Sequence, residues 1–394
     1  MNTRKIIHYL ILISILFTVI FNIAELWTLL TYGVVSQRDS VTPIQVKAIK
    51  DIFFLLIFIL CLSRSVKNWV IILYPDIIVI GITILSLFSL LFSSLFQSFL
   101  LLIMGMRWFF PFLLINFLYD VIDRQLQTKI SVCMVIIFCL ALFLQLIEAV
   151  YLPHFWGINA LGLNLRNPGI YLIPSSMAFF TLVTLWYAYH FFPHGIFRNA
   201  LLKYLCPLSI FLTGSATGVF ALAFFYGSSF VAKMRNKQMF ILLLVILMII
   251  TFIFLPILTG REKIFDSFLV RLGIFSEVAS LNHFLISTTF GSATNAAVLM
   301  NDIKAESKFI ADSNFTAMLH NIGFIAMILY TLMFIKLMKK SVQTIQIFGI
   351  YLLFSITTII FETFPLNLLF ALNISYYLID NGLSNKQLEW IEGK

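Results

Sequence analysis

The segment Met239–Leu258 reads MFILLLVILMIITFIFLPIL, an almost unbroken apolar run. A helix needs roughly 20 apolar residues to cross a hydrocarbon core about 30 Å thick, and this run has that length. The strands of a membrane β-barrel alternate apolar and polar residues, so a continuous run excludes a barrel. The stretch therefore predicts a transmembrane helix and indicates an all-α fold.

The whole chain has the composition of a membrane protein. Its 394 residues are 61% hydrophobic and 11% charged, which is more apolar surface than a soluble domain can bury. Backbone groups find no partners in lipid, so we predict helical spans in one polytopic membrane domain, residues 1–394. About twelve spans are predicted, at roughly 6–30, 50–63, 76–94, 98–119, 130–150, 172–192, 202–214, 217–232, 239–259, 315–335, 344–361 and 366–380.

The distribution of lysine and arginine orients these spans. With the N-terminus in the cytoplasm, every predicted cytoplasmic loop is basic, as the positive-inside rule requires. The net charge of +9 is dispersed over short loops, which favours contact with membrane lipids over nucleic acid. Two predicted outer loops, about 151–173 and 260–313, are longer than a simple turn. Apolar residues recur at helical spacing between Ile264 and Ala279, which predicts an amphipathic helix in the second loop.

Both outer loops contain basic residues on the side where the charge rule disfavours them, which indicates an anionic ligand. Arg166 lies in Arg166-Asn167-Pro168-Gly169, where a guanidinium beside turn residues can bind phosphate oxygens in pairs. Arg271 lies on the predicted amphipathic helix. Contact with lipid head-groups is the alternative for Arg166, and a solvated helix flank is the alternative for Arg271. Arg261 and Lys263, where the preceding span ends, also suit lipid head-groups.

Asp312, Thr316 and His320 are spaced four residues apart, which predicts one helical face running into the membrane. A carboxylate at Asp312 could act as general base on a sugar hydroxyl. The alternative is an ordinary helix N-cap. His320 also suits a hydrogen-bonded interior position.

Arg107 lies inside a predicted span, where a charge requires a polar cavity or a partner. Substrate contact and an ion pair with Glu25, Glu148 or Glu362 are both open.

Motifs that bind nucleotides or metals are missing from the sequence. There is no D-x-D motif and no phosphate-binding GxxxxGK[ST] loop. We therefore expect neither a metal nor another cofactor.

Taken in order, these segments resemble the O-antigen polymerase (Wzy) and O-antigen ligase superfamily of bacterial inner-membrane proteins. The resemblance covers about residues 98–335. The matching pieces are Arg107-Trp-Phe-Phe-Pro111, Arg166-Asn-Pro-Gly169, Leu212-Thr-Gly-Ser-Ala216 at a tight outer turn, Ser267-x-x-x-Arg271, and Asp312-Ser-Asn-Phe315 with Asn321-Ile-Gly323.

The resemblance implies a C-type, membrane-embedded, inverting glycosyltransferase without metal or nucleotide sugar, facing the periplasm. The donor would be a glycan on undecaprenyl pyrophosphate and the acceptor one lipid-linked repeat unit, and a chain-length regulator is a further candidate partner. Arg166 and Arg271 would hold the pyrophosphate, and Asp312 would orient or deprotonate the acceptor hydroxyl. The candidates for substrate binding are Arg107, Asn167, Arg261, Lys263 and His320.

Two departures from the family pattern bear on this interpretation. Ligases usually carry histidine where this chain has Asp312, and polymerases often carry an acid, which favours a polymerase. Many members have arginine where this chain has Ala216, so the resemblance assigns no anion-binding role to that turn. The alternatives are a ligase, a flippase or other transporter for lipid-linked sugars, and a scaffold. Transporters often have repeated halves, and no repeat is evident in this sequence.

Overall fold

The computed structural model describes residues 3–32, 44–67, 76–118, 121–151, 167–171, 173–231, 273, 286–292 and 313–379. The regular structure in these residues is entirely helical. The α-helices are α1 Thr3–Leu16, α2 Ile23–Tyr32, α3 Ile44–Lys67, α4 Ile77–Ser93, α5 Phe99–Leu118, α6 Arg124–Tyr151, α7 Pro174–His190, α8 Ile196–Ala200, α9 Cys206–Thr213, α10 Ala216–Val231, α11 Asn314–Asn321, α12 Phe324–Met338, α13 Val342–Thr357 and α14 Leu366–Ile379. Short 3₁₀ helices occupy Phe17–Asn22 and Gly169–Tyr171, and a π-helix joins α8 to α9 over Leu201–Leu205.

Several of these helices have the length and composition of membrane spans. Four stretches in the described part of the chain are long and apolar enough to cross a membrane: Thr3–Phe21, Leu101–Leu118, Arg124–Val150 and Ile196–Thr213. Five shorter apolar helices accompany them: Ile77–Ser93, Ala216–Phe230, Phe324–Met338, Val342–Thr357 and Leu366–Leu378. The predicted span 239–259 and the predicted amphipathic helix near residues 264–279 lie outside the described residues.

The long helices pack around one central helix, α14. Neighbour contacts connect α1, α3, α5, α4, α12, α13, α7 and α6 in turn, and α6 contacts α1 again. Inside this circuit, α14 packs on α5 and α12 and is bonded to α7, because the Tyr187 hydroxyl donates to Asn373 Oδ1 at 2.8 Å. Helices α9 and α10 cover the remaining face of α7. Both α7 and α14 are therefore buried on all sides, as apolar composition around a whole helix predicts.

Aromatic rings fill the space between α5, α12 and α14. Phe361 and Phe370 have ring centroids 5.1 Å apart, and Phe112 lies 5.3 Å from Phe361. Tyr330 packs edge-on against Phe361 at 5.9 Å. These edge-to-face pairs add directional packing to the burial of large apolar surfaces. The cluster fixes how the central helix sits against the surrounding helices.

The predicted single span 315–335 is wrong, because the structure contains two helices there. Helix α11 ends at Asn321 and α12 begins at Phe324. Gly323 between them has a φ of 119°, which lies in the region that favours glycine. The sequence showed the glycine, but a glycine inside an apolar run is also tolerated in a continuous helix.

A short non-helical segment, residues 286–292, enters the bundle between α4, α5 and α11. Phe290 N donates to Ser93 Oγ at 2.9 Å, and Gly291 N donates to Asn321 Oδ1 at 2.9 Å. Gly291 has a φ of 88°, and a Cβ there would lie 2.0 Å from the Leu101 carbonyl oxygen. The segment is therefore packed backbone to backbone against α5.

We predict that Gly291→Ala lowers the free energy of unfolding by at least about 1–3 kcal/mol, because a side chain at this position overpacks the contact with α5. The measurement is the thermal unfolding midpoint of the purified protein in detergent. Gly195→Ala is the matched control, since a Cβ at Gly195 meets nothing within 4 Å. Equal midpoints for the two variants would contradict the packing described for residues 286–292.

Candidate functional site at one end of the bundle

The two ends of the helix bundle differ in character. At one end, ion pairs join Arg4 to Asp123 and Lys336 to Asp76. At the opposite end, three of the described segments, made of turns, irregular backbone and one short 3₁₀ helix, are largely buried in the protein: residues 167–171, 286–292 and 358–365. We call this the loop end, and it contains every predicted site residue that the structure describes except Arg107, which lies about two turns along α5.

The Asn167–Gly169 turn is bound to side chains from α6. Gln145 Nε2 donates to the Asn167 carbonyl oxygen at 2.9 Å, and Gly169 N donates to Glu148 Oε2 at 2.9 Å. Asn167 is fully buried, and Glu148 is only 3% exposed. Gly169 has a φ of 56°, a conformation that glycine adopts without strain. The turn is therefore fixed on the surface of α6.

The same turn contacts the end of α9. Asn167 N donates to the Leu212 carbonyl oxygen at 3.0 Å, and Gly214 ends α9 in the left-handed conformation. Ser209 Oγ of α9 donates to Gln145 Oε1 at 2.7 Å. The Gln145 side chain therefore binds both the Asn167–Gly169 turn and α9. The structure thus brings together two sequence segments predicted as outer turns, Asn167–Gly169 and Leu212–Ala216. Nearby, burial raises the pKa of the Tyr171 hydroxyl well above its ordinary value, so this group stays neutral.

His320 lies in α11 and is 1% exposed. Its Nε2 is 2.8 Å from Ser292 Oγ, and its carbonyl oxygen accepts from Thr289 Oγ1 at 2.8 Å and from the Ser287 hydroxyl. These bonds tie α11 to the segment 286–292. The structure therefore gives His320 the hydrogen-bonded interior position that the sequence left as an alternative to substrate binding.

Two polar side chains, Ser313 and Asn314, define the start of helix α11. Its N-cap is Ser313, whose side chain accepts from Thr316 N, and its first residue is Asn314. The side chain of Asn314 anchors the helix, because its Nδ2 donates to the Tyr330 hydroxyl at 3.2 Å and its Oδ1 accepts from Ile360 N at 3.2 Å. Asp312 lies outside the described residues, so the predicted helical face is described only at Thr316 and His320, both of which lie in α11.

Arg107 forms an ion pair that the sequence interpretation did not include. Its Nη2 is 2.8 Å from Asp51 Oδ2, and its Nε is 3.2 Å from Asp51 Oδ1. The Glu362 carboxylate adds electrostatic attraction, whereas Glu148 binds the backbone at Gly169 instead. The two-point geometry is the strong form of an arginine–carboxylate pair, and it joins α5 to α3. The structure thus supports the ion-pair interpretation of Arg107.

Five predicted site residues lie outside the described residues: Arg166, Arg261, Lys263, Arg271 and Asp312. Within the described ranges, no three His, Cys, Asp or Glu side chains come close enough together to hold a metal ion.

Sequence reasoning did not identify three residues that support the site, Gln145, Asp51 and Asn314, and it proposed Glu148 only as a partner of Arg107. Gln145, Glu148 and Asp51 are polar residues within long helices, and Asn314 is the first residue of the short helix α11. A charged or amide side chain within an apolar helix must find a partner inside the protein. The occurrence of these polar residues among apolar ones was therefore the sequence signal that could have indicated their contacts.

We predict that Arg107→Met or Asp51→Leu alone destabilises the protein by about 1–3 kcal/mol, because each leaves a partly buried charge without its partner. The double variant should recover most of this loss, since a well-packed apolar pair can replace an ion pair. Thermal unfolding of the purified protein in detergent measures both effects. Arg124→Met, at an exposed arginine of α6, is the control. Additive losses in the double variant would show that the two side chains act independently.

Comparison with protein-family models and with curated proteins finds no match to this chain.

Proposed function

We propose that this protein is a surface-polysaccharide polymerase of the O-antigen polymerase type in the bacterial inner membrane. It would join repeat units carried on undecaprenyl pyrophosphate, with its site at the loop end facing the periplasm. The proposal rests on the resemblance stated for the sequence and on the chemistry of the residues involved.

One structural observation supports this proposal most directly. The Asn167–Gly169 turn, part of the Arg166-Asn-Pro-Gly169 motif, is held by two buried polar side chains of α6 and touches the Leu212–Ala216 turn. Two separate pieces of the resemblance are therefore neighbours in space. Arg166 directly precedes Asn167, whose backbone is held by hydrogen bonds. We propose that this attachment helps Arg166 to hold its ligand in one orientation.

The proposed reaction needs a base and a stabilised leaving group. The acceptor hydroxyl oxygen attacks the anomeric carbon of the donor, and the bond from that carbon to the pyrophosphate oxygen breaks with inversion. The hydroxyl proton passes to Asp312. Arg166 and Arg271 stabilise the negative charge that develops on the pyrophosphate. Arg261, Lys263 and Asn167 are proposed to bind the donor nearby.

The position of the N-cap favours a chemical role for Asp312 over a capping role. Ser313 already accepts the hydrogen bond from Thr316 N at the start of α11. A helix needs one such side chain at its N-cap position. Ser313 therefore occupies the N-cap position of α11, which removes capping as the explanation for Asp312.

We expect that deletion of the gene removes the long polysaccharide ladder and leaves core with a single repeat unit on a gel. In the complemented strain, Arg166→Ala should give the same pattern, and Arg166→Lys should be poor because a point charge lacks the paired donors of a guanidinium. Lys308→Ala removes another cation of the predicted outer loop and should leave the ladder intact. Core without any repeat unit in the deletion strain would indicate a ligase or a flippase instead.

We expect that Asp312→Asn abolishes polymer growth while the amount of folded protein in the membrane is unchanged. The amide keeps the size of the side chain but cannot accept the proton, and general-base catalysis typically contributes about 10²–10⁴-fold in rate. Asp302→Asn, in the same predicted loop, is the matched control. A normal ladder from Asp312→Asn would rule out this residue as the base.

A further inference from the structure

Glu148 is a buried carboxylate near the end of the long apolar helix α6, and it has no role in the proposed reaction. It is 3% exposed and lies in α6, one turn after Gln145. A buried carboxylate is costly unless hydrogen bonds satisfy it. The structure supplies such a bond from the backbone N–H of Gly169, at 2.9 Å.

This hydrogen bond fixes the turn at a point where the backbone has little freedom to move. A Cβ at Gly169 would lie 3.1 Å from the Ala141 carbonyl oxygen and 3.2 Å from Gln145 Cγ. The turn thus rests directly on α6, with Gln145 holding Asn167 and Glu148 holding Gly169 on either side of Pro168. Proline restricts the backbone between the two held residues.

The support extends beyond α6 to two further helices. Gln145 Oε1 accepts from Ser209 Oγ of α9, and Ser209 Oγ lies 3.0 Å from Thr181 Oγ1 of α7. Gln145 is fully buried, as are Ser209 and Thr181. Side chains from α6, α7 and α9 therefore form one connected set of hydrogen bonds that ends on the Asn167 carbonyl oxygen. A shift of the turn would break the bond between Gln145 and Asn167.

We propose that Glu148 is a positioning residue for the substrate site: by accepting from Gly169 N–H, it holds the Asn167–Gly169 turn in the orientation that donor binding requires. This inference rests on the proposed function, and it assigns Glu148 no contact with substrate. The carboxylate acts through the turn, with Gln145 as its partner on the other side.

The test compares Glu148→Ala with Glu148→Gln in full-length protein purified into vesicles that contain lipid-linked repeat units. The rate of polymer formation is divided by the amount of folded protein. We expect Glu148→Ala to lose about 100-fold, the effect of misplacing a binding group by about 1 Å. Glu148→Gln keeps an acceptor oxygen and should retain most of the rate. If Gln is as poor as Ala, the acceptor role is wrong.

Two further variants distinguish an effect on the position of the turn from an effect on the packing of α6. Gly169→Ala leaves Glu148 intact but pushes the turn away from α6, so its rate per folded protein should fall in the same way. Gln127→Leu changes another buried polar side chain of α6, which is far from the turn and makes no hydrogen bond within the described residues. It should leave the rate unchanged. An equal loss from Gln127→Leu would show that Glu148 matters only for helix packing.

Arg166→Ala, made alongside, distinguishes failure of the proposed function from failure of the positioning role of Glu148. If Arg166→Ala forms polymer at the normal rate, the proposed function fails. If Arg166→Ala is inactive and Glu148→Ala is normal, only the positioning inference fails. In the background of Arg166→Lys, which is expected to keep a reduced rate, Glu148→Ala should cause little further loss, because the two residues would act through one turn. Independent, multiplied losses would overturn the inference.

Discussion

Irregular backbone buried inside a bundle of apolar helices must find its hydrogen bonds within the protein, because its apolar surroundings offer none. Three such segments enter this bundle at one end, and side chains from neighbouring helices bind each of them. Gln145 and Glu148 hold the Asn167–Gly169 turn, Ser93 and Asn321 hold residues 286–292, and Asn314 holds the start of 358–365. Buried polar side chains of the helices thus supply hydrogen bonds to each of these segments.

This arrangement links packing to function. The helices are rigid units, since their own backbone bonds are satisfied, and the aromatic cluster around Phe361 fixes the central helix among its neighbours. Side chains projecting from such helices place irregular segments more accurately than free loops would. A turn attached to α6 by two buried hydrogen bonds is suited to present a ligand-binding residue in a constant orientation.

The fold class followed from the sequence more readily than the site did. Long apolar runs predicted helices at α5, α6, α7 and α10, because the membrane imposes one length scale on all of them. The break at Gly323 was missed, since nothing local distinguishes a glycine that ends a helix from one inside it. The two outer turns were predicted separately, but their contact depends on how α6 and α9 pack. The Asp51 partner of Arg107 was missed for a related reason: ion pairs between distant helices depend on tertiary register, which one sequence does not reveal.

The burial of α14 also has a consequence for biosynthesis. This helix carries Asn367, Asn373 and Ser375, all buried, and lipid would be a poor environment for these side chains. It leaves the ribosome after α5, α7, α12 and α13, the helices that surround it. The buried contacts of α14 can therefore form only after the helices around it have been made. The space between α5, α7, α12 and α13 is filled by a helix that is synthesised later than all four.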